Sequence, residues 1–248
     1  IFLGYQSGYQ NGNGSYNLFL GYNSGKSMVD GSGNTFLGNN AGVDATGGTD
    51  NIFIGPQAGR YQASGSNNIY LGRQAGSGLS SLTPNSGTDN IFIGTDAGNI
   101  NVNGDWNIFV GKEAGKLNKS GNSNMFIGLR AGSNNDSGGN NVFLGNDAGL
   151  NHKSGGSNVY VGYRAGQGTA DGTGQFNVFV GANAAGWNTS GSSNVILGRM
   201  AGLKNTDGND NVIVGTEAGK EIQSGYSNVF LGKNAGFMSA GAYQNIFV

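Results

Sequence analysis

An all-β parallel β-solenoid is the fold class this chain predicts, on three observations. The segment Asn51-Ile52-Phe53-Ile54-Gly55 returns along all 248 residues, its Asn stepping by 17 in eleven of thirteen intervals, with one step of 22 and one of 19. A fixed period of this size marks a solenoid or repeat array. Of the 50 Gly, 40 stand at three fixed offsets of that period, where the backbone needs positive φ or close approach of another backbone. Between them lies an apolar run of three residues with no polar alternation, the sign of a short strand buried on both faces.

The repeat justifies each element in turn. With the motif Asn as position 0, the invariant residues are Asn17, Asn34, Asn51, Asn68, Asn90, Asn107, Asn124, Asn141, Asn158, Asn177, Asn194, Asn211, Asn228 and Asn245. In register on successive turns they predict a side-chain amide ladder that satisfies backbone groups where the strand begins. Positions 1 and 3 are aliphatic (Met125 and Thr35 apart) and share one face of the strand, since successive side chains alternate; they are expected inside. Position 2 then faces out. It is held by Phe2, Phe19, Phe36, Phe53, Tyr70, Phe92, Phe109, Phe126, Phe143, Tyr160, Phe179, Ile196, Ile213, Phe230 and Phe247. An outward ladder of rings exceeds the few hundred Å² of apolar patch that monomers expose, so these residues are expected to form an interface with identical chains.

Gly at positions 4 and 8 and again three before the next Asn supplies two turn signals per period, predicting two short strands in each 17-residue rung. Position 7 is Ala, or Ser in Ser7 and Ser24, and predicts a corner that admits only a small side chain. The remaining half of the period is variable and polar and is expected to face solvent, as do its insertions at 77–86 and 167–173, because insertions collect on exposed loops. One continuous array of about 14.5 rungs thus spans 1–248, with longer rungs at 68–89 and 158–176. Beginning and ending inside the motif, it reads as an excerpt of a longer chain, since terminal solenoid repeats normally differ from the rest.

Composition narrows the function. Thirteen basic and fourteen acidic residues leave a net charge of −1, without the basic footprint that nucleic acid requires. No apolar run reaches membrane-spanning length. With no Cys, a single His and no GxSxG elbow, the sequence offers no thiolate or His-based metal site and no nucleophile–His triad; no cofactor is expected and the chain reads as non-catalytic. Gly21 to Ser27 is similar to a phosphate-binding loop but one residue short between its glycines. His152 reads as a surface residue, and charges such as Lys112, Glu113, Glu217, Lys220 and Glu221 as a solvated face. The Asp residues hold no common register of the kind calcium-binding rolls use. Asn13, Asn118, Asn135 and Asn188 open N-x-[S/T] sequons in the half expected outside. Tyr61, Trp106, Tyr163, Trp187 and Tyr226 are aromatics that stack on sugars in binding modules, at scattered offsets.

In its N-[IV]-F-[IVL]-G-x-x-A-G units, such as Asn51 to Gly59 and Asn107 to Gly115, the whole chain resembles NxFIGxxAG-repeat surface and appendage proteins of gliding, often predatory, bacteria. It is also similar to the β-roll heads of trimeric autotransporter adhesins. The resemblance implies an extracellular, cell-surface location and a structural shaft or stalk in an adhesive fibre that serves attachment to prey, host or surface glycans. Two alternatives are a glycan- or ligand-binding adhesin module using the outer loops, and a tail-fibre-like receptor-binding stalk. A polysaccharide-lyase-type enzyme would need charged clusters on adjacent rungs, which the sequence does not show. The period is longer than in the adhesin heads, and the middle strand residue is bulkier; three chains about an axis are expected, with a larger closed ring as the alternative.

Overall fold

The computed structural model describes residues 1–81, 83–169 and 171–248; Leu82 and Ala170, in the two longer turns, lie outside the described residues. The chain divides into two compact units, Ile1–Ser123 and Asn124–Val248. The first holds β1 (Phe2–Leu3), β2 (Leu18–Leu20), β3 (Thr35–Leu37), β4 (Ile52–Ile54), β5 (Ile69–Leu71), β6 (Ile91–Ile93) and β7 (Ile108–Val110). The second holds β8 (Met125–Ile127), β9 (Val142–Leu144), β10 (Val159–Val161), β11 (Val178–Val180), β12 (Val195–Leu197), β13 (Val212–Val214), β14 (Val229–Leu231) and β15 (Ile246–Phe247). No helix occurs among the described residues.

Each unit is a parallel β-solenoid. Every strand pairs in parallel with its sequence neighbours in the unit, residue for residue at one repeat: Phe36 opposite Phe53, Ile213 opposite Phe230. The longer turns keep this register, Tyr70 facing Phe92 and Tyr160 facing Phe179. The two longer turns therefore do not shift the strand register.

Each turn has one strand where the two turn signals predict two. Left-handed residues follow the strand closely, as Gln57 at φ 60° and Gly59 at φ 59° show, and the chain cannot run extended through them. This stretch is laced to its neighbours instead: Gln57 N–H donates to Asn39 O and Gly59 N–H to Ala75 O, each at 2.9 Å. On the far side only isolated bridges form, such as Gln62 with Asn85 and His152 with Gly172. The closeness of the turns sets the glycine at position 4. A Cβ on Gly55, at φ 129°, would lie 2.7 Å from Gly72 O on the next turn.

The two faces of the strand are the reverse of those expected. Phe19, Phe36, Phe53, Tyr70, Phe92 and Phe109 in the first unit are buried inside their own chain, as are Phe126, Phe143, Tyr160, Phe179, Ile196, Ile213 and Phe230 in the second. Only Phe2 and Phe247, in the first and last strands, are partly exposed. Rings stack along the interior, Phe36 on Phe53 at 4.6 Å and 5°, Phe143 on Tyr160 at 4.6 Å and 6°. The reason lies six residues on. A Cβ on Gly59 would overlap Phe53 Cδ2, so the bare glycine backbone is the floor on which the ring lies. Beside it Ala58 turns the corner fully buried. Where Ser replaces that Ala, Ser24 Oγ–H donates to Phe36 O at 3.0 Å. A ring, the largest side chain of its turn's interior, fills the space over this glycine and gains stacking with its neighbours besides. The aromatic residues are thus the core, and the interface with identical chains assigned to them is withdrawn.

Candidate functional site

Two polar columns run beside the rings. The first is the expected Asn ladder. Asn34 Oδ1 accepts from both the backbone N–H and the Nδ2 of Asn51, each at 3.0 Å, while Asn51 Nδ2 also donates to Gly65 O at 3.0 Å. The pattern repeats from Asn17 through Asn107 in the first unit and from Asn124 through Asn245 in the second. Asn245 apart, which is half-exposed, these amides are buried and hydrogen-bonded, as buried polar groups require.

The second column lies in the half expected outside. Asn101, Asn118, Asn135, Asn188 and Asn205 are buried six residues before the motif Asn. Each turns Nδ2 to the carbonyl three residues on, as Asn118 does to Gly121 O at 2.9 Å. Met28, Ala45, Gln62 and Ile222 fill the same place on other turns. Asn118, Asn135 and Asn188 are therefore interior amides rather than open sequon residues; Asn13 alone of the four is exposed. The sequence did carry this signal, an Asn recurring six before the motif Asn, masked by the apolar substitutes.

His152 belongs to this column and is 3% exposed, so the surface reading of it is overturned. Its Nε2 lies 2.9 Å from Gly155 O, and its ring meets Phe143 and Tyr160 edge-on at 5.4 and 5.8 Å. Burial, which penalises the imidazolium, lowers its pKa from the ordinary 6.5 to about 4, against the smaller opposing pull of the Gly155 carbonyl. It is neutral at pH 7, with the Nε2–H tautomer donating to Gly155. Desolvation likewise raises the phenols of Tyr70 and Tyr160 above their usual range; Tyr70 Oη accepts from Asn85 Nδ2 at 3.2 Å.

On the surface, charges that look scattered in sequence meet at a spacing of one turn. Lys204 and Glu221 pair at 2.6 Å, and Asp147, only 2% exposed, sits between Arg130 at 2.8 Å and Arg164 at 3.7 Å. Residues 130, 147 and 164 share position 6 of three consecutive turns, just beyond the strands, a turn-to-turn pairing that fixed spacing makes legible. Among the described residues no group of three His, Cys, Asp or Glu gathers as metal ligands do. The exposed aromatics stay dispersed. One face of Tyr61 is covered by the Arg60 guanidinium at 4.7 Å and one face of Trp187 by Lys204 at 5.5 Å, and Tyr226 stacks on Tyr243 at 5.5 Å. Trp106 and Tyr163 are exposed elsewhere.

What faces out from the strands is aliphatic. Ile52, Ile54, Ile93, Met125, Ile127, Val159, Val180, Val195, Val212 and Leu231 are 36–39% exposed, and the other position 1 and 3 residues of β2–β14 are half-buried. Each unit thus presents two parallel columns, positions 1 and 3, in which no residue is charged and only Thr35 is polar. If full burial of such a side chain is worth ~1.5–3 kcal/mol, the third left in water withholds roughly 0.5–1 kcal/mol per residue.

These features define a repeat β-solenoid whose polar chemistry is turned inward and whose strand face is an open apolar sheet. No family model, no curated protein and no solved structure matches the chain significantly.

Proposed function

We propose that the chain is a structural shaft segment of an extracellular adhesive fibre or appendage on a bacterial surface. The observation that carries the mechanical role is the axial bonding inside each unit, where a strand ladder and an amide ladder tie turn to turn and stacked rings add to them except at Ile196 and Ile213. Such an element resists stretching and bending, because deforming one turn breaks bonds with two neighbours. Surface placement rests on the similarity of the NxFIGxxAG units to bacterial appendage proteins. Adhesion then belongs to the whole appendage, with this segment supplying reach.

The test pairs force with binding. Pulled between handles, the chain should hold its length until turns peel away in steps near one repeat, and it should show no retention on immobilised glycans. Alanine at Tyr61 and Trp187 together with removal of 77–86 should leave attachment of the appendage unchanged. Loss of attachment on those replacements would shift the reading to a ligand-binding module.

A further inference from the structure

We infer that the outward aliphatic columns of the second unit, positions 1 and 3 of β8–β14, are the seat of a second copy of this chain, sheet face against sheet face. This deepens the structural role proposed above by naming the partner and the surface.

Area comes first. An extended chain exposes ~1.45 Å² per dalton, so a Val or Ile residue about 37% exposed presents roughly 55–60 Å². Seven such residues (Met125, Ile127, Val159, Val180, Val195, Val212 and Leu231) give about 400 Å², and the seven half-buried residues of the same two columns bring the face to roughly 600 Å². That is the upper end of the largest apolar patch a typical monomer leaves open, a size at which such patches are often functional. Two such faces together bury about 1,200 Å², the lower edge of the range for stable interfaces.

Periodicity chooses the occupant. Outward side chains stand ~4.8 Å apart from turn to turn and ~6.6 Å apart along the strand. A partner that meets this grid at every rung must carry the same two spacings, and a second copy does so by construction. An irregular partner would match one rung and miss the next. The columns carry no charge, so nothing in them selects an acidic or basic ligand. Two sheets with small aliphatic faces pack ~10 Å apart with interdigitated rows, and a two-fold axis normal to the strands makes the contact self-complementary.

The experiment is sedimentation equilibrium of the chain at about 10 µM, above the µM-to-pM range in which interfaces of about 1,600 Å² fall, beside the variant V159K/V195K/L231K. These positions lie on alternate turns, so the new charges do not crowd one another. The expected result is a dimer or higher multiple for the parent chain and a monomer for the variant, with unchanged circular dichroism. A monomeric parent, or a variant that stays associated, overturns the inference. Should the variant not fold, Val195→Cys settles the matter in a chain that has no other cysteine. A short bismaleimide should then link copies through Cys at 195 and not through a control Asp207→Cys on an exposed loop, and absence of the link at 195 also overturns it. The force and glycan measurements above read the shaft role separately, so a monomer that withstands load would refute this interface and leave that role standing.

Discussion

Acid should weaken the second unit through a single side chain. His152 has a pKa near 4 in the folded chain, against 6.5 when solvated. The folded state holds it neutral, so the unfolded chain binds more protons between these values and stability falls as pH drops through the window. It is fully present above pH 6.5 and lost progressively down to pH 4. At 1.36 kcal/mol per pKa unit the total is about 3 kcal/mol, most of it gone by pH 4.5. His152→Asn places the residue used by neighbouring turns at the same position and keeps a donor for Gly155 O, as Asn135 does for Gly138 O at 3.0 Å. It removes the edge-on contacts with Phe143 and Tyr160 and should cost ~0.5–1.5 kcal/mol at pH 7. The two stability curves should therefore cross at roughly pH 5.5–6, with the variant the more stable below. Urea midpoints of both proteins at pH 7 and 4.5 measure this, and carboxylate effects cancel in the difference. Parallel pH profiles, or a His152 imidazole that titrates near 6.5 by NMR, would refute the buried, neutral assignment.

Four further outcomes follow from the geometry. Phe53→Ala should cost ~3–5 kcal/mol by opening a core cavity, whereas Ile54→Ala on the neighbouring outward position, already about a third exposed, should cost ~1–2 kcal/mol; equal losses in chemical denaturation would return the aromatic residue to the surface. Asn51→Ala strands Gly65 O and the Asn68 N–H, which accept from and donate to its side chain, and should lose roughly 2–5 kcal/mol, seen as early hydrogen exchange on those two turns. Gly59→Ala should be among the most damaging single methyl additions, since it meets both a left-handed backbone and the Phe53 ring; a thermal midpoint within a degree or two of the parent would contradict the packing described. Phe176, exposed and held at φ 57°, should give way to Asn with a gain of about 0.5–1 kcal/mol, because Asn tolerates the left-handed region that a bulky residue does not.

The pairing of strands was legible in the sequence because it depends on period alone. A motif that recurs every 17 residues, with additions confined to one half, can keep register only as stacked turns, and Asn34 reaches Asn51 wherever the turn is drawn. The Gly at position 4 was legible for a similar reason, as a place where two backbones approach. The same period also contained the Arg130–Asp147–Arg164 alignment and the second Asn column, which became visible once turns were superposed in space rather than read along the chain.

Which face points inward was decided by tertiary structure. Alternation along Ile52-Phe53-Ile54 separates the ring from its neighbours but assigns neither side to the core, because both are apolar. The choice is made across the turn, where Gly59 and Ala58 leave a space for the ring, while the strand positions one residue to either side point away from it. His152 shows the same dependence. Its sequence neighbours are polar, and only the stacked turns on either side reveal that the imidazole sits in the dry interior. Local sequence thus determined the repeat and its register, while the inside and the outside of the solenoid were set by contacts between residues that lie six positions, or one whole turn, apart.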